Sequence, residues 1–272
     1  MNLDTVTDSG LQIIPLRAFR DNYIWLLRRG QFAALVDPGD AAPALAYLEA
    51  ERLKLAAILI THHHEDHAGG VDGILMQLQY DAPIPVYGPA AENIAGVNQS
   101  LVDGDRVHLP ALEASFEVIA VPGHTRGHIA YYGRKLCACG VLFCGDTLFA
   151  AGCGRVFEGT PAQMWHSLAR LAALPAATRV YCAHEYTEAN IRFALAVEPD
   201  NAALSERAAA VARLRQADLP TVPSTLADEL ATNPFLRYDQ PTVRSAAERV
   251  SGEGQPDAIA VFTAIRAWKN KF

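Results

Sequence analysis

Residues 61–70 read THHHEDHAGG, which sets His62, His64, Asp66 and His67 within six residues of one another. Imidazole nitrogens and carboxylate oxygens suit zinc, iron and manganese, and a cluster of them with open positions is the arrangement that activates water. The stretch follows an apolar run, Leu53 to Ile60 (LKLAAILI), that reads as a buried strand. It precedes Val71, Ile74, Leu75 and Leu78 at helical spacing. The cluster therefore sits on a strand-to-helix turn, with His62 and His64 pointing from the turn and Asp66 and His67 opening the helix. One such motif can serve two adjacent metals. His63, between two ligands, faces the other way and is given no role.

Outward from this motif the pattern repeats. Leu11 to Leu16, Tyr23 to Leu27 and Phe32 to Val36 read as strands, the last running into the turn Asp37-Pro38-Gly39, and Pro43 to Leu53 reads as a short helix. Phe116 to Val121 stops at Pro122-Gly123 and is followed by His124, and Val141 to Cys144 stops at Gly145 and is followed by Asp146. Arg179 to Cys182 is followed, after Ala183, by His184. Taken singly, Asp146 is a turn residue and His184 a packed one. Four strands that each end in a potential ligand say more, because loops at one edge of a rigid sheet are where sites in layered α/β proteins lie. After Tyr186 helical patterns take over: Glu188 to Val197, Asn201 to Ala217, Leu226 to Thr232, Thr242 to Val250 and Asp257 to Lys271. Thr225 with Asp228 three residues later forms a capping box. The expected division is a metal-binding domain over 1–184 and a helical domain over 185–272.

Half of the 272 residues are hydrophobic, enough for a globular core, and a formal charge of -7 argues against a nucleic-acid partner. The first ten residues carry Asp4 and Asp8 and read as neither secretory signal nor transit peptide. The apolar stretch from Cys137 to Cys153 is too broken by glycines and Asp146 to span a bilayer. A cytoplasmic protein with no membrane association and no obligate protein partner is expected. The five cysteines, an odd number without secretory context, read as reduced thiols that pack.

THHHEDHAGG, PGHTRGH (122–128), CGDTLFAAGCGR (144–155) and YCAHEYT (181–187) resemble the metallo-β-lactamase superfamily. TVPSTLADELATNPFLR (221–237) narrows the resemblance to its glyoxalase II, or hydroxyacylglutathione hydrolase, branch. That resemblance implies a four-layer αββα sandwich of mixed sheets, an α/β (α+β) fold, followed by a small helical domain. It puts His62, His64 and His124 on one divalent metal, Asp66, His67 and His184 on a second, and Asp146 between them. Zinc comes first among the metals, with iron or manganese admitted. Water held between two such ions has its pKa lowered from 15.7 to about 7 and would attack a thioester carbonyl, with Asp66 orienting it. The implied substrate is S-D-lactoylglutathione, cleaved to glutathione and D-lactate in the second step of methylglyoxal detoxification.

The same resemblance assigns Arg155, Tyr186, Arg266 and Lys269 to the glutathione moiety. Arg266 and Lys269 stand three apart on one helix face, a spacing that by itself suits a solvated helix end. The chain departs from some members, which have Lys in place of Arg155 and Tyr in place of Phe157; the second change removes a phenolic hydroxyl. His128 is a candidate for supporting its loop, His108 and His166 have no ligand companions, and Trp165 and Trp268 are expected to pack. The competing readings are a glutathione persulfide dioxygenase with a single iron, a lactonase or β-lactamase, and a metal-stabilised binding module. The helical C-terminal domain sets the glyoxalase branch apart from the other enzymes, and the open His/Asp donor set argues against a closed structural site.

Overall fold

The computed structural model describes residues 5, 6, 10–136 and 139–272. Two compact units make up the chain: the first holds the residues up to Ala120 together with Arg126–Gly145, the second Val121–Thr125 and Asp146–Phe272. These units do not coincide with the division at 184/185 read from the sequence.

In the first unit, β1 (Thr5–Val6), β2 (Gln12–Ala18), β3 (Asn22–Arg29) and β4 (Phe32–Val36) form an antiparallel run. Helix α1 (Ala41–Ala50) then crosses to β5 (Lys54–Leu59), which lies parallel to β4. After α2 (Glu65–Ala68) and α3 (Val71–Gln77) come β6 (Val86–Pro89) and β7 (Gln99–Leu101), both parallel additions, giving a seven-stranded sheet in the order β1 to β7. Alternation along the strands sorts the side chains. Ile14, Leu16, Ile24, Leu26, Ala33 and Leu35 face Ala44 and Leu48 of α1 and Val71 and Ile74 of α3 in one buried cluster. Helix α1 begins two residues before the expected Pro43, because the Asp40 side chain accepts the Ala42 N–H at 3.0 Å, and it ends at Ala50.

A second sheet follows in this unit: β8 (Arg106–Leu109), β9 (Ala114–Ala120), β10 (Ile129–Gly133) and β11 (Val141–Gly145), antiparallel in the order β11-β10-β9-β8. The fully buried Tyr131 of β10 donates its hydroxyl to the Ile60 carbonyl at 2.8 Å, which joins the second sheet to the end of β5. Burial pushes the Tyr131 phenol well above its ordinary pKa, so it stays a donor.

The second unit opens with a hairpin, β12 (Leu148–Phe149) and β13 (Gly152–Cys153). Helix α4 (Pro161–Ala172), β14 (Arg179–Cys182), α5 (Thr187–Val197) and α6 (Ala202–Gln216) follow. The short β15 (Ser224–Thr225) pairs with β14 and leads into α7 (Leu226–Thr232), α8 (Pro241–Ser251) and α9 (Ala258–Lys269). Thr225 and Asp228 form the expected capping box, and Asn201 and Asp257 cap α6 and α9. Helix α4 was not expected, although Thr160, Pro161 and Gln163 give it a second capping box. Trp268 packs on Phe193 and Trp165 on Tyr238.

No helix among the described residues is long and apolar enough to cross a membrane. Cys144, Cys153 and Cys182 are buried free thiols, and burial pushes Cys182 up to about 12. Cys139 is disulfide-bonded, which departs from the expectation of five reduced thiols, and Cys137 lies outside the described residues.

Candidate functional site

The parallel strands β4 and β5 end side by side, and the residues just past them hold one another. Asp37, directly after β4, accepts the Thr61 N–H and hydroxyl, each at 2.7 Å, and lies 3.0 Å from His67 Nδ1. The Thr61 hydroxyl proton is thus committed to Asp37, so its oxygen accepts from His62 Nδ1 at 3.1 Å. Both rings carry their proton on Nδ1 and present the lone pair of Nε2, the tautomer that a partner behind a metal-binding imidazole selects. His62 Nε2 lies 3.1 Å from His64 Nδ1, and the His62 and His67 ring centres are 4.0 Å apart. His128 stacks on His62, centroids 4.5 Å apart and planes at 17°.

Asp66 lies on the single turn of α2, with Oδ2 3.7 Å from His67 Nε2. Asn22 Nδ2 donates to that same carboxylate oxygen at 2.9 Å. The loop after β4 passes so close to α2 that a Cβ on Gly39 would lie 2.0 Å from the Asp66 carbonyl oxygen, so only glycine fits there. His63 is held by Glu92: its N–H donates to Glu92 Oε2 at 2.6 Å and its Nδ1 lies 3.1 Å from the same oxygen, while its ring stays 4.9 Å from that of His64.

The second unit carries a His/Asp cluster of its own. His124 Nδ1 donates to the Arg155 carbonyl at 2.8 Å, and its Nε2 lies 3.4 Å from Asp146 Oδ2. His184 Nε2 lies 3.3 Å from Asp146 Oδ1, so one carboxylate offers an oxygen to each ring. Gly154 must be glycine here, since a Cβ would sit 1.9 Å from the Asp146 carbonyl oxygen. The donor set in both units, imidazoles, of which His62, His67 and His124 have Nδ1 tied back, plus carboxylates, fits divalent metal ions without accumulating negative charge.

Beside Asp146 the second unit opens a cavity of about 480 Å³, lined by His124, Asp146, Phe149, Cys153, Arg155, Phe157, Tyr186, Ala189, Asn190, Arg266 and Lys269. All four residues expected at a substrate are on its wall. Arg155 is exposed, and the half-exposed Tyr186 ring lies flat on His184, 4.6 Å between centroids. Arg266 is only 6% exposed; its Nη1 donates to the Cys153 carbonyl at 2.9 Å and its guanidinium lies 5.0 Å over the Phe235 ring. Lys269 donates to the Ala189 carbonyl at 3.2 Å and lies 5.0 Å over Phe193. Burial, then the charges of Arg266 and Arg192, lower the Lys269 pKa from 10.5 to about 8. Burial outweighs Arg266 at Cys153, whose thiol is pushed up and stays protonated. Phe157 is 61% exposed at the rim, edge-on to His124.

Asp37, Thr61, Phe149, Cys153 and Asn190 were not expected at the site, and Asn22, whose segment resembles one near the site in the family, had no chemical task in the sequence. Asp37 follows a strand as Asp146 does, and that position was its available signal.

Comparison with known proteins agrees with this picture. Residues 17–184 match the Metallo-beta-lactamase superfamily, and residues 185–272 match the Hydroxyacylglutathione hydrolase C-terminus. A hydroxyacylglutathione hydrolase of Alkalilimnicola ehrlichii is 56% identical over 262 residues, covering 96% of this chain and 99% of the relative. One from Pseudomonas aeruginosa is 55% identical over 265 residues, covering 96% and 100%. The crystal structure of TTHA1623 in a di-iron-bound form superposes with a TM-score of 0.52 at 29% identity, over 63% of this chain and 91% of that one. The fold is accordingly the metallo-β-lactamase sandwich with a helical C-terminal region, and the His/Asp donor set is that of a divalent-metal site.

Proposed function

Because the chain belongs to the hydroxyacylglutathione hydrolase family of the metallo-β-lactamase superfamily, we propose that it hydrolyses S-(2-hydroxyacyl)glutathione thioesters. S-D-lactoylglutathione is the substrate, glutathione and D-lactate the products, and the second step of methylglyoxal detoxification the role. The observation that carries this reading is the shared wall of one cavity: His124 and Asp146 line it together with Arg155, Arg266 and Lys269. A carbonyl to be attacked and a carboxylate-bearing thiol moiety thus find complementary groups in one place. The match of 185–272 to the Hydroxyacylglutathione hydrolase C-terminus favours this reading over a persulfide dioxygenase, lactonase or β-lactamase.

The proposed ligands are His62, His64 and His124 for one divalent ion, Asp66, His67 and His184 for another, and Asp146 for both. Zinc is the first choice of metal. Such ions, when bound, lower the pKa of water to about 7 and polarise a carbonyl oxygen. The chain's own residues do the rest. Asp37 and Thr61 hold the His67 and His62 tautomers, and Asn22 fixes the Asp66 carboxylate, which orients the attacking water. Arg155 at the rim and Lys269 on the wall attract the glutathione carboxylates, while Arg266 contributes charge from a fixed, buried position. No acid is required for the leaving group, since a thiol with a pKa of about 8.5 departs readily as thiolate. On this reading 1–184 supplies the chemistry and, with Arg155, part of the binding, and 185–272 supplies the rest of the binding. On the same reading the protein works in the cytoplasm on a small molecule, with no nucleic acid, membrane or obligate protein partner.

The test is turnover of S-D-lactoylglutathione by purified protein, followed by thioester loss and thiol release, with metal content measured on the same sample. Hydrolysis with close to two metals per chain is expected. A fully metallated sample that leaves the thioester intact contradicts the proposal.

A further inference from the structure

The turn that joins β12 to β13 is held at four backbone groups by buried side chains from the helices that follow it. Asn233 Nδ2 donates to the carbonyls of Phe149 at 3.2 Å and Gly152 at 2.8 Å. Asn190 Nδ2 donates to the Ala150 carbonyl at 3.1 Å. The Ala151 N–H donates to Glu229 Oε2 at 2.8 Å, and that oxygen also accepts from Asn233 at 2.9 Å. Glu229 is fully buried, and its other oxygen is matched by Arg207 Nη2 at 2.6 Å. The Asn233 side-chain oxygen accepts the Phe235 N–H at 3.1 Å, which fixes which end of the amide faces the turn.

This cradle holds the turn in an unfavourable shape. Ala151 is fully buried at φ 54°, a left-handed conformation that a non-glycine residue keeps only where its surroundings impose it. Beside it a Cβ on Gly152 would lie 2.5 Å from the Asn190 amide, so any other residue there would push the Asn190 side chain off the turn.

What the turn carries is the wall of the cavity. The Phe149 ring sets its edge against His184, centroids 5.8 Å apart, and against Tyr186 at 5.3 Å. Four residues along, Arg266 rests on the Cys153 carbonyl. We propose that Asn233, acting with Glu229 and Asn190, is a positioning residue of the substrate pocket. By locking Phe149 to Gly152 it sets Phe149 against the His184 and Tyr186 rings and fixes the backbone on which Arg266 sits. The proposal rests on the thioesterase reading for the identity of the ligand.

The experiment compares Asn233→Ala and Glu229→Ala with Glu229→Gln, which keeps an oxygen for the Ala151 N–H. Glu198→Gln is the control, a buried carboxylate of the same unit that holds Arg237 and Thr242. Kinetics with S-D-lactoylglutathione and calorimetric binding of S-methylglutathione are measured on each. Asn233→Ala and Glu229→Ala are expected to raise both KM and Kd about tenfold and to change kcat less than about threefold, within the ~10²-fold that a misplacement of about 1 Å costs. Glu229→Gln recovers most of the loss, and Glu198→Gln lowers Tm without moving KM or Kd. A folded Asn233→Ala protein with KM and Kd within about twofold of wild type overturns the proposal, and Asn233→Ser is judged on the same scale if Asn233→Ala does not fold. A wild type that neither binds S-methylglutathione nor cleaves the thioester overturns the thioesterase reading and with it the pocket role; an active wild type beside an unchanged Asn233 variant overturns the cradle alone.

Discussion

In the first unit His62 and His67 are fully buried, and each has its Nδ1 tied to a hydroxyl or a carboxylate that is itself held. In the second unit the fixed groups share the cavity with looser ones: beside buried His124, Asp146 and Arg266, Arg155 and Tyr186 are exposed, and Lys269 is poised between a backbone carbonyl and an aromatic face. Groups that must bind ions in one geometry are fixed before anything arrives, because a misdirected ring loses the ligand bond altogether. Groups that attract a flexible anion work through charge, which tolerates looser placement. Damage to the groups that hold ions should therefore appear in metal content and kcat, and damage to Arg155, Arg266 or Lys269 in KM.

Substitutions that break this contrast are ordered by effect. His67→Ala removes a proposed ligand and should lower metal content and kcat/KM by more than the roughly 10- to 100-fold expected when only a residue behind a ligand is changed. Asp37→Ala, which frees the His67 and Thr61 side chains together, should fall within that roughly 10- to 100-fold range, checked by metal analysis and kcat/KM. Arg266→Ala should raise KM about tenfold, the worth of one charge-assisted hydrogen bond at about 1.5 kcal/mol, with kcat little changed. It should also lower Tm, read by calorimetry, because Arg266 is packed against Phe235 and the Cys153 carbonyl.

Lys269 sharpens the comparison through pH. Its folded pKa of about 8 means that its charge is lost as pH rises through that value, so KM should climb above pH 8 in wild type and stay flat in Lys269→Arg. The stability sign runs the other way. Between about 8 and 10.5 the unfolded chain binds the proton that the folded chain has released, so this group adds stability as pH rises across that window. The smallest effect belongs to Phe157→Tyr, which restores a rim hydroxyl and should lower KM by no more than about fivefold, the worth of one neutral hydrogen bond near 1 kcal/mol.

The ligand motifs were legible because they are local. THHHEDHAGG carries its spacing within one turn, and His124, Asp146 and His184 each follow a strand whose apolar run is plain in the sequence. The residues behind the ligands were not legible, since Asn22 reaches Asp66 across 44 positions and Asp37 reaches His67 across 30. No periodicity records such pairs. Strands β6, β7 and β8, of three or four residues each, were too short to alternate visibly. Helix α4 was not expected even though Thr160, Pro161 and Gln163 mark its start. Phe149 had no signal at all: its place depends on Asn233, 84 residues away.

The most direct measurement compares wild-type kcat/KM for S-D-lactoylglutathione with that for an S-lactoyl thioester of N-acetylcysteamine, which has the same reacting bond but lacks the carboxylates. The account predicts that both are cleaved at similar kcat and that the glutathione thioester has a KM lower by at least about tenfold, the worth of one charge-assisted contact. Equal KM values would contradict the role given to the second unit's cavity, and cleavage of neither compound by fully metallated protein would contradict the thioesterase itself.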